Sequence, residues 1–161
     1  MIRAATAADR DALATIYNPY INDTIITFEE EPVTGAEMEK RLAEVAAASL
    51  PWLVAEEGGE VIGYAYASKW KGRCAYRFSA ESTVYLAPAA QRRGIGTALC
   101  ESLFTLLRAQ HIHAVMAGIA LPNEASVALH EKLGMKKVAH FEAVGFKFQR
   151  WIDVGYWQRL L

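Results

Sequence analysis

Gln91-Arg92-Arg93-Gly94-Ile95-Gly96-Thr97 stands between a strand-like run ending at Leu86 and a stretch in which Ile95, Leu99, Leu103, Leu106 and Leu107 recur at helical spacing. A glycine-rich turn at a helix start exposes several backbone N–H groups. The helix dipole adds partial positive charge there, so the turn suits a pyrophosphate. Gly94 and Gly96 let the backbone approach a ligand closely, because no Cβ intervenes, and Arg92 and Arg93 can pair with phosphate oxygens. Two familiar phosphate motifs do not fit. A Walker loop ends in Gly-Lys-Ser/Thr, which is absent here. A dinucleotide fingerprint needs a third glycine near Leu99 and an acid about twenty residues on, where Ile119 stands. What remains is Gln91-x-x-Gly94-x-Gly96, a short pattern that on its own also describes a plain helix start with solvated arginines.

Outward from this turn the chain alternates clear signals. Upstream, Ile2-Arg3-Ala4 is a short strand candidate, and Thr6 opens a helix with Asp9 as an imperfect capping box and Leu13, Ile16, Tyr17 and Tyr20 as its apolar face. Ile25-Ile26-Thr27-Phe28-Glu29 is a single helical turn or a loop. Thr34-Gly35-Ala36-Glu37 is a full capping box for a second helix carrying Met38, Leu42, Val45 and Ala46. Trp52 to Glu56 is a strand, Gly58-Gly59 a hairpin signal, Val61 to Trp70 the returning strand, and Phe78 to Leu86 a third. Downstream of the turn, Ala114 to Ala120 is wholly apolar, which fits a sheet centre. Asn123 opens another helix that Gly134 closes. Lys136 to Phe148 and Trp151 to Leu160 are strand-like and aromatic. The expected order is β-α-α-β-β-β-α-β-α-β-β, an α+β (mixed α/β) single domain over residues 1–161 with a β-α-β unit at its centre.

Composition bounds the function. The 161 residues are 53% hydrophobic and 22% charged, enough for a full core. Lys plus Arg is 17 against 18 Asp plus Glu, so nucleic-acid binding is not expected. No apolar run approaches the roughly 18 residues that span a membrane, and Met1-Ile-Arg-Ala-Ala has no secretory apolar core. Cys74 and Cys100 form no C-x-x-C pair, which favours a reducing cytoplasm over a disulfide scaffold or zinc site. His111 and His113 are expected on one side of a strand start, without the carboxylate or Cys neighbours a metal site needs, so no metal is expected.

Further motifs flank the glycine turn: Pro51-Trp52-Leu53-Val54-Ala55-Glu56, Ala80-Glu81-Ser82-Thr83-Val84-Tyr85, and Asp153-Val154-Gly155-Tyr156-Trp157-Gln158. With Gln91-x-x-Gly94-x-Gly96 and the helix from Asn123 to Gly134, they make the whole chain resemble the GNAT N-acetyltransferase superfamily, in its phosphinothricin and methionine sulfoximine N-acetyltransferase branch. The resemblance implies a GNAT fold, a twisted mixed sheet with a splayed parallel strand pair flanked by helices. It implies an acetyl-CoA-dependent transfer to the α-amine of a small amino acid or analogue, such as phosphinothricin, methionine sulfoximine or methionine sulfone. Transfer is direct in a ternary complex, and Cys100, inside a helix rather than at its tip, argues against a cysteine nucleophile. Another amine (an antibiotic, a polyamine, a protein N-terminus) and a non-catalytic acyl-CoA-binding regulator are the alternatives.

The resemblance also implies residue roles. Backbone groups of Val84, Tyr85 and Leu86 hold the pantetheine arm, with the Leu86 N–H aimed at the thioester oxygen. The turn from Arg92 through Arg93, Gly94, Ile95 and Gly96 to Thr97 cradles the pyrophosphate, and Asn123 and Ser126 bond the pantetheine. Glu81 is the general base, directly or through a water; a strand-start carboxylate can equally be a cap or ion-pair partner. His130 stands where the superfamily often has a proton-donating tyrosine, and is either that acid or a core histidine bonded to a carbonyl. Phe28, Glu29, Arg73, Ala75, Tyr76 and Arg77 match substrate-contacting segments, with Arg77 or Arg73 offered to a substrate carboxylate. A homodimer is implied, in which Lys147 and Trp151 either close the neighbour's site or serve as ordinary surface and packing residues.

Overall fold

Apolar periodicity and turn chemistry resolve, in the computed structural model of residues 1–161, into β1 (Ile2–Ala4), α1 (Arg10–Asp23), α2 (Gly35–Ala47), β2 (Trp52–Glu57), β3 (Glu60–Lys69), β4 (Ser79–Leu86), α3 (Ile95–Ala109), β5 (Ala114–Leu121), α4 (Glu124–Lys132), β6 (Lys136–Lys147) and β7 (Arg150–Leu160). The element order is the expected one. One seven-stranded sheet runs β1-β2-β3-β4-β5-β7-β6, and every neighbouring pair is antiparallel except β4 and β5.

Each sheet face buries its own core. On one side α3 presents Leu99, Cys100, Leu103, Phe104 and Leu107 to Ala80, Val115 and Ala117. On the other, Leu13, Ile16, Tyr17 and Ile21 of α1 and Met38 and Val45 of α2 cover Trp52, Val54 and Tyr64. Helix α2 starts as its capping box predicts, with the Thr34 hydroxyl accepting the Glu37 N–H at 3.2 Å. The start of α1 is better satisfied than the sequence suggested. Asp9 accepts the Thr6 N–H at 2.7 Å and takes a two-pronged Arg3 guanidinium at 2.8 and 2.9 Å, which holds its carboxyl down at about 2. Residues 25–29 form a loop rather than a helical turn. His111 and His113 lie in the turn before β5, His111 at φ 63°, and not on a strand.

The parallel pairing of β4 and β5 lasts only through Ser79↔Ala114, Ala80↔Val115 and Glu81↔Met116. Beyond that point β4 continues along β3 to Leu86, while β5 continues along β7 to Leu121, so the two strands splay. The Ala87 N–H donates to the Ile62 carbonyl of β3, and the Phe78 carbonyl accepts from His113 and Ala114 on the β5 side. Backbone groups alternate sides along a strand. Val84 and Leu86 therefore turn N–H and C=O into the gap, and Tyr85 turns its own toward β3.

Candidate active site

Where the strands part, a cavity of about 440 Å³ opens on the sheet face that carries α1 and α2. Its floor is Gly118, Ala120, Val154 and Tyr156, and its walls are Ile26, Phe28, Phe141 and Val144. Glu81 is its only carboxylate. Strand alternation places the Glu81 side chain on the same face as Tyr85. It sits at the last parallel pair, the apex of the gap. The local sequence builds the surroundings. Gly118 faces Tyr156 across the β5–β7 ladder, and a Cβ there would stand 3.1 Å from the Tyr156 ring, so glycine lets the ring lie on the floor. At Gly145 of β6, a Cβ would collide with the edge of the Phe28 ring, so that glycine seats Phe28 in the wall.

Glu81 is half-buried and makes no hydrogen bond or ion pair with any side chain. Burial raises its pKa above the ordinary glutamate value, and the positive charge of Lys71 offsets part of that. Tyr156 in the same cavity is also pushed up, first by burial and then by the Glu81 charge. A desolvated, unpartnered carboxylate in a cavity is chemically suited to accept a proton nearer neutral pH than an exposed one.

The cofactor-side residues are brought together in part. Gly94 caps α3 at φ 80°, a left-handed conformation that favours glycine, and no side chain caps the helix. The first-turn N–H groups of Ile95, Gly96 and Thr97 thus lack a capping acceptor. At Gly96 a Cβ would stand at ordinary contact distance, 3.4 Å, from Leu129 and Leu86, so packing between α3, α4 and β4 does not by itself require glycine there. Arg92 carries no ion pair, whereas Arg93 is engaged by Glu57 at 2.7 Å. Asn123 caps α4 by accepting the Ser126 N–H at 3.1 Å, which leaves its amide N–H₂ free. Two backbone expectations change. Tyr85 adds no strand-edge contact, because its backbone faces β3 and its ring packs on Tyr17 and Tyr20. The Leu86 N–H donates at 3.4 Å to the Tyr20 hydroxyl.

His130 is buried on α4, with Nδ1 2.7 Å from the Ser126 carbonyl oxygen. A carbonyl only accepts, so Nδ1 carries the proton and Nε2 a lone pair. Burial lowers the His130 pKa, which favours this neutral form.

The expected substrate segments divide. Phe28 lines the Glu81 cavity, but Glu29 turns away into a fork with Arg41 and a bond from the Tyr17 hydroxyl. Arg73, Tyr76 and Arg77 line a second concavity of about 480 Å³ together with Lys69 and Lys71. Ala75 sits in the same turn, Cys74–Tyr76, without facing either cavity. That concavity contains no acid, and none of its cations is ion-paired. The Arg77 guanidinium rests on the Phe78 ring, 4.6 Å from its centroid, so the arginine clamp is not in the Glu81 cavity. Lys147 is 2% exposed and donates to the Thr24 and Thr27 carbonyls at 2.8 Å, which clips the Phe28 loop to β6. Trp151 is 68% exposed and lies against Phe146. Burial pushes the Cys100 thiol up to about 12, which leaves it inert as a nucleophile.

Sequence reasoning missed Tyr156, Phe141, Val144 and Tyr20. Tyr156 lay inside a quoted motif, Asp153 to Gln158, and an aromatic at that position was its one signal. Phe141 and Val144 flank a register break in β6 that no sequence pattern announces.

Comparison with known proteins places the fold. The chain is 46% identical over 158 residues to a phosphinothricin N-acetyltransferase of Streptomyces viridochromogenes, covering 98% of this chain and 86% of that protein. It is 37% identical over 160 residues to an L-methionine sulfoximine/L-methionine sulfone acetyltransferase of Salmonella typhimurium, covering 98% and 92%. A GNAT superfamily phosphinothricin acetyltransferase from Sinorhizobium meliloti, solved in complex with acetyl-CoA, superposes with a TM-score of 0.96 at 39% identity, covering 100% of this chain and 88% of that one. The acetyltransferase (GNAT) domain profile matches residues 2–155, and the chain belongs to the GNAT acetyltransferases, enzymes whose co-substrate is acetyl-CoA.

Proposed function

We propose that this acetyltransferase acts on the α-amine of a small amino acid or analogue of the phosphinothricin, methionine sulfoximine and methionine sulfone class. The observation that carries the reading is Glu81: a half-buried carboxylate without a partner, at the apex of the strand gap, in a cavity large enough for such a molecule. The relatives' activities support the substrate class.

Acetyl-CoA lies along the open edge of β4. Its pyrophosphate meets the uncapped first turn of α3 and the unpaired Arg92. The amide of Asn123, its N–H₂ group free, and the Ser126 hydroxyl receive the pantetheine. Glu81 takes a proton from the substrate ammonium, and the freed lone pair attacks the thioester carbon. The new C–N bond leaves an oxyanion that faces the Val84 N–H. Val84 is favoured over Leu86 because it lies three residues from Glu81, about 10 Å along the strand, against about 17 Å for Leu86. Collapse breaks the C–S bond and releases CoA as a thiolate, which takes up the proton that the new amide nitrogen gives up. His130 anchors its Nδ1–H on the Ser126 carbonyl at 2.7 Å, which ties the turns of α4 together and leaves Nε2 as the ring atom free for proton exchange.

The substrate carboxylate is directed toward the unpaired cations beside the cavity. Lys71 is the side chain that both lines the cationic concavity and acts on Glu81. Phe146 of β6, Trp151 of β7 and Phe148 in the turn between them, all about half exposed or more, form an apolar patch at the end of this hairpin that a second copy covers in a homodimer. The absence of paired cysteines favours a cytoplasmic setting. No helix is long and apolar enough to cross a membrane.

The test is kcat/KM across an amine panel, read as released CoA thiol: amino-acid analogues, a polyamine, an aminoglycoside and a peptide N-terminus. The amino-acid analogues rank first in this account. A polyamine or peptide ranking first overturns the substrate assignment.

A further inference from the structure

Tyr20 carries no role in any reading above, yet its hydroxyl touches the acetyl-CoA edge at three points. It donates to the Leu86 carbonyl at 2.6 Å, accepts the Leu86 N–H at 3.4 Å, and accepts the Gln91 side-chain N–H at 3.3 Å. Leu86 turns both backbone groups into the strand gap, so one phenol satisfies the donor and the acceptor that an incoming amide would meet. Gln91 is the first residue of the glycine turn. The ring is held against Tyr85 at a centroid distance of 5.0 Å.

The same residue also connects to the amine side. Tyr20 lies in the last turn of α1, and its carbonyl accepts the Thr24 hydroxyl at 2.7 Å. Ile26 and Phe28, which follow directly, are walls of the Glu81 cavity. The far end of this segment is fastened separately, by the Tyr17 and Thr27 hydroxyls, 2.7 Å apart, by the Lys147 ammonium on the Thr24 and Thr27 carbonyls, and by the Arg41 fork on Glu29.

We propose that Tyr20 is a positioning residue that links the two substrates: its hydroxyl holds the place of a pantetheine amide on Leu86, acetyl-CoA displaces it, and the freed end of α1 then sets Ile26 and Phe28 for the amine. Acetyl-CoA consequently binds before the amine. This inference rests on acetyl-CoA lying along β4, as proposed above.

Tyr20→Phe keeps the ring and removes only the competing hydroxyl. Calorimetric titration with acetyl-CoA should show tighter binding than wild type by about 2- to 10-fold, the worth of one ordinary hydrogen bond. With the end of α1 already free, the variant should bind the amine without acetyl-CoA, so the amine KM at saturating acetyl-CoA should not rise and product-inhibition patterns should change from ordered to random. Unchanged or weaker acetyl-CoA binding by the variant, with normal binding by wild type, overturns the role of Tyr20 alone. A wild-type protein that does not bind acetyl-CoA overturns the strand-edge reading and this inference with it. Tighter binding combined with a retained ordered pattern overturns the link to the amine cavity.

Discussion

Replacing Glu81 by Gln separates catalysis from stability. Glutamine keeps the size of the side chain and removes its charge and basicity. As a general base, Glu81 is worth about 10²–10⁴ in turnover, or about 3–5 kcal/mol of barrier, and that loss should shrink at high pH as free amine becomes abundant. Stability should move the other way. Glu81 has no hydrogen-bond or ion-pair partner to lose, and burial already disfavours its ionised form. A carboxyl whose pKa is raised on folding binds more protons in the folded state. The wild type therefore loses stability as pH rises from the ordinary glutamate value of 4.5 through the raised one, and the variant does not. Urea midpoints at about pH 4 and about pH 7, taken beside kcat, check both halves. At neutral pH the variant should be at least as stable as wild type and nearly inactive. A variant that keeps full turnover, or that loses stability at neutral pH, refutes the base and shows Glu81 to be a structural carboxylate.

Three other outcomes are expected. Gly145→Ala should push Phe28 out of the cavity wall and raise the amine KM by roughly tenfold, the scale of one lost aromatic contact; an unchanged amine KM argues that Phe28 does not touch the substrate. Asp9, held at about 2 against an ordinary 3.8, should contribute about 2 kcal/mol that is present above about pH 4 and lost as pH falls toward 2. Urea unfolding of wild type and Asp9→Asn should show a gap that closes over that range, and a gap independent of pH contradicts the Arg3–Asp9 account. Lys71→Met should lower kcat/KM for methionine sulfone more than for its decarboxylated amine, and more than Arg77→Ala does; equal losses on both amines remove Lys71 from carboxylate recognition.

The fold was legible because its signals are local. The Thr34-to-Glu37 box starts α2, the apolar run after Gly94 makes α3, and the unbroken apolar stretch from Ala114 marks a strand buried on both faces. The strand gap was legible only through the resemblance, since nothing in the composition of β4 and β5 says where their pairing stops. Residue roles were less legible, because partners distant in sequence leave no local mark. Glu57, 36 residues away, occupies Arg93. Arg41 occupies Glu29 across 12 residues, and Tyr20 reaches Leu86 across 66. Lys147 looked like a surface lysine because sequence gives no hint that two loop carbonyls wait for its ammonium.

The central claim is direct transfer from acetyl-CoA to an amino-acid amine at Glu81, without an acyl-enzyme. A single-turnover reaction with methionine sulfone and limiting acetyl-CoA, quenched over time and read by mass spectrometry of both protein and small molecules, tests it most directly. N-acetyl methionine sulfone should appear in step with free CoA, and the protein should never carry an acetyl group. An acetylated protein that forms and decays before product, or bound acetyl-CoA that yields no product, would contradict it.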